Sequence, residues 1–248
     1  VGFVHGVMNT DNVSIAGETI DYGPCAFLDV YHPETVFSSI DHQGRYAFQN
    51  QPAITQWNLA RLAESLVQVV PGNPEDAVGK FVEILEAFPS CYEKYFQTGA
   101  NAKLGLTTME NEDSAIYSDL LKIMEESQLD FTETFVTLAD GLEQSEVDPE
   151  FSKVASLSDW IEQWSQRLTR EPSSLADVAK RMQTVNPVII PRNLKVEEAL
   201  IAADLGDLEP THCLLEALRS PFSKTKENEP YRKGASPGSK PYCTFCGT

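Results

Sequence analysis

Apolar residues along this chain follow two different rules, and the change comes near residue 53. In the first part, Val-Ser-Ile-Ala (13–16) and Glu-Thr-Ile-Asp (18–21) alternate in polarity about Gly17, the pattern of a short β-hairpin. Tyr22-Gly23-Pro24 follows as a turn signal, and then an irregular, aromatic- and proline-rich stretch runs to Pro52. Beyond that the period becomes helical. Trp57, Leu59, Leu62, Ala63, Leu66 and Val70 form one stripe, stopped by Pro71-Gly72. Ala77, Val78, Phe81, Val82 and Leu85 form a second that ends before Pro89, and Ile116, Leu120, Ile123 and Met124 a third. Phe131, Phe135 and Leu138 form a fourth that ends at Gly141. The stripe from Phe151 through Trp160 and Trp164 to Leu168 is the longest, and further helices are expected at about 173–184, 195–204 and 211–219. These stripes predict core, with Trp57, Trp160 and Trp164 as packing residues. The expected fold class is mainly α with a small β-hairpin, the helical region covering 53–222. From Ser223 to Tyr242 the chain has no apolar period and much Gly, Pro, Ser and Lys, so 223–248 reads as a mobile tail.

Composition narrows the possible partners. The 248 residues carry 19 Lys and Arg against 37 Asp and Glu, a formal net charge of -18. Nucleic-acid affinity comes largely from cations that neutralise phosphates, so neither nucleic acid nor an anionic membrane is an expected partner. No apolar run approaches the roughly 18 residues that would cross a bilayer. The chain opens on Val1, with no basic or apolar leader, and runs almost at once into a dense motif, which reads as a truncated N-terminus. Five cysteines, only Cys243 and Cys246 clustered, make neither a disulfide scaffold nor a zinc site. They fit a reducing compartment, the cytoplasm for a bacterial-type protein or the mitochondrion for a eukaryotic one.

The residues with chemistry lie at the start. His5-Gly6-Val7-Met8-Asn9-Thr10-Asp11-Asn12 is followed, across the expected hairpin, by Asp21-Tyr22-Gly23-Pro24. A hairpin of that length brings its ends together, so Asn12 and Asp21 are placed to face one site. An amide oxygen and a carboxylate suit Mg²⁺, or Mn²⁺, together with substrate phosphates. Asp11 points elsewhere and is placed to accept a proton from an attacking hydroxyl. The layout parallels a protein kinase, with a catalytic loop H-R-D-x-x-x-x-N, a hairpin and D-F-G. On that spacing Asn12 and Asp21 fall on the metal ligands, while the kinase base falls on Val7, the mark of a pseudokinase unless Asp11 serves instead. His5 reads as a loop-ordering residue, and Arg45 equally as a phosphate contact or a carboxylate partner.

HGVMNTDN, IDYGP (20–24), DHQGRYAF (41–48), NQP (50–52), WNLARLAE (57–64), NPVIIPRN (186–193), VEEAL (196–200) and the closing TFCGT (244–248) together resemble the selenoprotein O family (SelO/YdiU). The resemblance implies a protein-kinase-like C-lobe with a helical C-terminal extension over 1–222, comprising the catalytic loop 5–12, the turn 21–24 and the helical region. The family's N-lobe, with its glycine-rich region and phosphate-pairing Lys, is absent. It also implies a protein adenylyltransferase that moves AMP from ATP to Ser, Thr or Tyr hydroxyls of protein substrates. Asp11 would then be the proton acceptor, Asn12 and Asp21 the metal ligands, and Asp21 also a nucleotide contact. Leu194 stands where the family usually has His. The family's C-terminal Cys suggests a tie from Cys25 to Cys243 or Cys246, with free thiols as the other reading. Phosphoryl transfer by a kinase and a non-catalytic pseudokinase scaffold are the rival functions. The 248-residue chain by itself is expected to be inactive.

Overall fold

In a computed structural model the chain is mainly helical with a small two-stranded antiparallel sheet. The structure describes residues 1–18, 25–144, 151–234 and 242–244, the side chains of Gln144 and Ser152 excepted. The sheet pairs β1 (Phe3–Val4) with β2 (Ala26–Phe27). It brackets the loop and the turn in sequence. At the expected hairpin a turn does form, with the Gly17 amide donating to Ser14 O at 3.1 Å and Gly17 at φ +68°. No strand flanks it among residues 13–18, and the far arm from Thr19 lies outside the described residues.

Eight α-helices are described: α1 Gln51–Leu66, α2 Pro74–Lys103, α3 Asp113–Glu126, α4 Phe131–Gln144, α5 Ala155–Leu168, α6 Leu175–Val185, α7 Asn193–Asp204 and α8 Glu209–Leu218. The helical periodicity located all of them to within a few residues, with three differences. α4 continues past Gly141. The stripe from Phe151 is broken, a single 3-10 turn at Phe151–Lys153 preceding α5, so the longest helix is α2 with 30 residues. And α2 runs straight through Pro89. An interior proline cannot donate to the carbonyl four residues back. Here that carbonyl, Leu85 O, accepts instead from the side-chain amide of Gln56 on α1 at 2.8 Å, so the helix loses a backbone bond without leaving the carbonyl unpaired.

The chain divides into two compact units. The larger, built on Phe27–His32 and Gln97–Tyr242, has a conventional apolar core of Ile116, Leu120, Met124, Phe135, Leu157, Trp160, Trp164, Leu168, Val178 and Met182. Trp160 and Trp164 stack at 5.5 Å, and their indole N–H groups donate to Ile116 O and Leu104 O, so these two are core as expected. Two residues past the end of α2, Gly105 has a φ of +76° that suits glycine, and a Cβ there would sit 2.4 Å from Val178 of α6.

Two arginines organise the polar interior of this unit. Arg167 is 1% exposed and pairs with Asp113 at 2.7 Å and Glu171 at 3.0 Å. Glu171 also accepts from the backbone and hydroxyls of both Thr107 and Thr108. Burial alone would raise its carboxyl, but those hydrogen bonds outweigh it and hold the group at about 2. Arg192, also 1% exposed, spans Asp29 and Asp130 at 2.8 Å each and gives its Nε–H to Arg232 O. Beside it, Asn193 pairs with both the N–H and C=O of Phe27, so Arg192-Asn193 anchors the strand segment 27–30. The segment from Ser223, which composition reads as tail, supplies Arg232 to Glu133 and buries Asn228.

The smaller unit comprises Phe3–Ala26, Pro33–Phe96 and Cys243–Thr248. Here the expectation of a buried stripe fails. Trp57 is 40% exposed, Leu59 and Leu62 37%, and Val78, Val82 and Ile84 still more. Over residues 51–96, which hold α1 and most of α2, Asn58 and Ala77 are the only buried positions among the described residues. Thr244 closes the described chain by pairing with Phe37 and Ser39 through the backbone, a short parallel bridge.

The Arg167 network sets an acid limit on stability. Glu171 has a folded pKa below its unfolded value of about 4.5, so its contribution is complete above that value and is lost as pH falls toward about 2. Urea melts of Glu171→Gln should show a shallower loss of stability between those pH values than the parent chain. Identical acid slopes would contradict this. Near neutral pH the same variant should be less stable by about 1–3 kcal/mol, through a weakened buried network.

Candidate active site

Residues His5 to Asn12 form an irregular loop after β1, and an irregular buried backbone must find partners outside regular structure. Gly6, at φ +86°, makes a bend that side-chain-bearing residues resist. The Val7 amide donates to His5 Nδ1 at 3.3 Å, so His5 orders the loop as its position suggested. Val4 and Val7, 0% and 5% exposed, pin the loop from beneath.

The remaining partners come from α1 and from the segment ahead of it. Gln51, the first residue of α1, accepts from the His5 amide through Oε1 at 3.0 Å and donates to Phe3 O through Nε2 at 3.0 Å. One side chain thus satisfies the two backbone groups on either side of Val4. One turn pair further along, Asn58 donates through Nδ2 to Met8 O at 2.9 Å. Tyr46 donates its phenol to Asn9 Oδ1, and Asp41 in turn accepts from the backbone amides of Arg45 and Tyr46. Two residues of α1, Gln51 and Asn58, and Tyr46 ahead of the helix fix the loop in place.

What the loop presents is a single 3-10 turn, Thr10–Asn12, closed by the Asn12 amide donating to Asn9 O at 3.0 Å. Asn12 turns its Nδ2 back to Val7 O at 3.1 Å. A carbonyl only accepts, so this fixes the amide's orientation and leaves Oδ1 directed outward. Asp11, next to it, is exposed and has no hydrogen-bond partner among the described residues. The turn therefore offers a side-chain amide oxygen and a carboxylate side by side. Asp21 and the rest of the Asp-Tyr-Gly-Pro turn lie outside the described residues, as does Cys246. Among the described residues no cluster of three His, Cys, Asp or Glu side chains forms a ready metal cage.

Sequence reasoning nominated Asp11 and Asn12 and read His5 as loop-ordering, but missed the residues that hold this loop. Tyr46, Gln51 and Asn58 sit inside DHQGRYAF, NQP and WNLARLAE, the blocks that carried the family resemblance. The available signal was polarity out of place: Asn58 interrupts an apolar helical stripe and is 5% exposed.

Comparison with known proteins bears on the same residues. The profile of the family described as Protein adenylyltransferase SelO matches residues 1–219, most of the chain and all of the loop just described. The chain belongs to the SelO family. Among relatives called protein nucleotidyltransferase YdiU, the protein from Anoxybacillus flavithermus is 49% identical over 249 residues, covering 100% of this chain and 50% of its own length. Those from Cereibacter sphaeroides and Alcanivorax borkumensis are 47% and 46% identical, again across 100% of this chain and 51% of theirs. The chain thus spans about half the length of the curated relatives it matches. Among the described residues no helix is long and apolar enough to cross a membrane.

Gln51 should be the residue on which loop order depends. In Gln51→Ala the His5 amide loses its acceptor, and its hydrogen exchange should accelerate by roughly 5- to 100-fold, the equivalent of about 1–3 kcal/mol. Amides inside α5 should be unaffected. Unchanged exchange at His5 would show that the loop is held by other means.

Proposed function

We propose that the polypeptide carrying this chain transfers AMP from ATP to Ser, Thr or Tyr hydroxyls of other proteins in a reaction that needs Mg²⁺, with Mn²⁺ as the alternative ion. In this reading the chain is the C-lobe of a kinase-like fold, and the phosphate-gripping part lies in the other half of the protein. Family membership supports the transfer of a nucleotide, and one structural observation supports the roles. Asp11 and Asn12 share a turn, yet Asn12 is committed to the loop through its nitrogen, while the Asp11 carboxylate has no hydrogen-bond partner among the described residues.

The donor set suits a hard divalent cation, which prefers carboxylate and amide oxygens and keeps room for phosphates and water. Asn12 Oδ1 and the Asp21 carboxylate would hold it, Asp21 also lying against the nucleotide. When bound, such an ion neutralises charge that builds on the phosphate oxygens. Asp11 accepts the proton of the acceptor hydroxyl as that oxygen bonds to the α-phosphorus. The bond from the α-phosphorus to the bridging oxygen breaks, and pyrophosphate leaves with the electron pair. Val7 stands where a kinase has its base, so Asp11 acts from the opposite end of the loop. A base displaced in this way is consistent with attack at a different phosphorus.

ATP radiolabelled at the α- or the γ-phosphate separates AMP transfer from phosphoryl transfer. With the full-length protein, label from the α-position should appear on acceptor proteins and label from the γ-position should not; the reverse would identify a kinase. Asp11→Ala should lower α-label transfer by about 10²- to 10⁴-fold, the usual worth of a general base. If transfer persists undiminished in Asp11→Ala, another group takes the proton. The 248-residue chain alone should transfer nothing.

A further inference from the structure

Asn9 and Asn12, three residues apart, are locked in opposite senses. Asn12 commits its Nδ2 to Val7 O, which leaves its amide oxygen available. Asn9 does the reverse. Its Oδ1 accepts from the phenol of Tyr46, and its Nδ2 has no hydrogen-bond partner among the described residues. Tyr46 is 8% exposed, and its backbone amide donates to Asp41, so the group that fixes the Asn9 amide is itself fixed. Asn9, Asp11 and Asn12 are all exposed. One short stretch of loop thus offers solvent an amide oxygen suited to a cation, a carboxylate, and an amide N–H₂ suited to an anion.

The backbone keeps these groups close. The Asn12 amide donates to Asn9 O at 3.0 Å, and Asn9 is two Cα steps from Asp11, at most about 7.6 Å. Donors of fixed orientation are scarce here. Residues 1–18 contain no Lys or Arg, and the Thr10 hydroxyl has no partner to orient it among the described residues. The absence of a cation has a chemical consequence. A Lys or Arg at this distance would pair with the Asp11 carboxylate in a charge-assisted hydrogen bond and hold it ionised but occupied. A neutral amide N–H competes far less for that carboxylate, yet it still donates to a phosphate oxygen.

We propose that Asn9 is a further catalytic residue, its Nδ2 donating to one non-bridging oxygen of the α-phosphate. Fixed donors aimed at oxygens that carry charge in the transition state are among the largest contributors to catalysis. No proton leaves Asn9: the proton of the acceptor hydroxyl still goes to Asp11, and pyrophosphate still leaves with the electron pair. Tyr46 is then a positioning residue that acts through Asn9. The inference rests on the AMP-transfer reading above and adds to it a donor for the phosphate, opposite in polarity to Asn12.

The test uses the full-length protein, Mg²⁺, ATP labelled at the α-phosphate, and the two α-thio diastereomers of ATP. In each diastereomer a different non-bridging oxygen is replaced by sulfur, a weak hydrogen-bond acceptor. Asn9→Ala should lower kcat for label transfer by about 10²- to 10³-fold, the usual worth of one such donor, with the KM for ATP within about twofold. Asn9→Asp keeps an acceptor for Tyr46 and removes the N–H₂, and it should lose at least as much. A merely structural role would not move the stereochemical readout. The parent should use one diastereomer faster than the other, and that ratio should fall about tenfold in Asn9→Ala, where no donor is left to penalise sulfur. Should Asn9→Ala fail to fold, the same ratio is read in Asn9→Asp. Equal use of both diastereomers by the parent, an unchanged ratio in the variants, or full kcat in Asn9→Asp overturns the proposal. A larger loss in Tyr46→Phe than in Asn9→Asp also overturns it, since the tie to Tyr46 would then carry the effect. Absence of α-label on every acceptor of the parent, or transfer of γ-label, would instead remove the AMP-transfer reading itself.

Discussion

The pairing of α1 side-chain amides with the backbone of the loop is the interaction on which the candidate site depends. A catalytic loop has to be irregular to present adjacent side chains in different directions, and irregular backbone leaves N–H and C=O groups that helices and sheets would have satisfied. Gln51 and Asn58 satisfy them from one helix face, and Tyr46 adds a third tie. Each is a neutral amide or phenol, so the loop is held without placing a fixed charge beside Asp11 and Asn12. Fixing the loop through a helix also makes its position a rigid-body property of that helix.

The larger unit solves a related problem with charge. Arg192 and Asn193 hold the segment from Phe27 to Val30, and Arg167 gathers Asp113, Glu171 and two threonines. Both guanidiniums are buried, and each of their nitrogens has a hydrogen-bond acceptor, the condition under which a buried ion pair is tolerated. Burial also lifts the Asp130 carboxyl, with Arg192 opposing the rise, so the pair is best regarded as enforcing geometry more than adding stability.

Much of the helical architecture was legible in the sequence because it depends on local period. α3 and α4 bury the residues their stripes nominate, α5 buries Trp160, Trp164 and Leu168, and Ser174 caps α6 by accepting from the Asp177 amide. Other features depend on partners distant in sequence and were not legible. Pro89 reads as a helix stop unless one knows that Gln56 will cap Leu85 O. Trp57 reads as core by period, whereas its ring lies at the rim of a cavity under two arginines. The described sheet joins residues on either side of the loop and turn, a pairing that two-residue strands do not announce in sequence. Within the candidate site, Asp11 and Asn12 were nominated by motif, but the supporting amides were hidden because Gln and Asn have no signature until their acceptors are known.

The central claim is that Asp11 and Asn12 form one side of a nucleotidyl-transfer site working at the α-phosphate. The most direct measurement is a crystal structure of the full-length protein with Mn²⁺ and a non-hydrolysable ATP analogue, the ion located by its anomalous scattering. The account predicts Mn²⁺ on Asn12 Oδ1 and the Asp21 carboxylate, with the α-phosphorus the closest phosphorus to the Asp11 carboxylate. An ion away from Asn12, or a γ-phosphate at Asp11 with the α-phosphate out of reach, would contradict it.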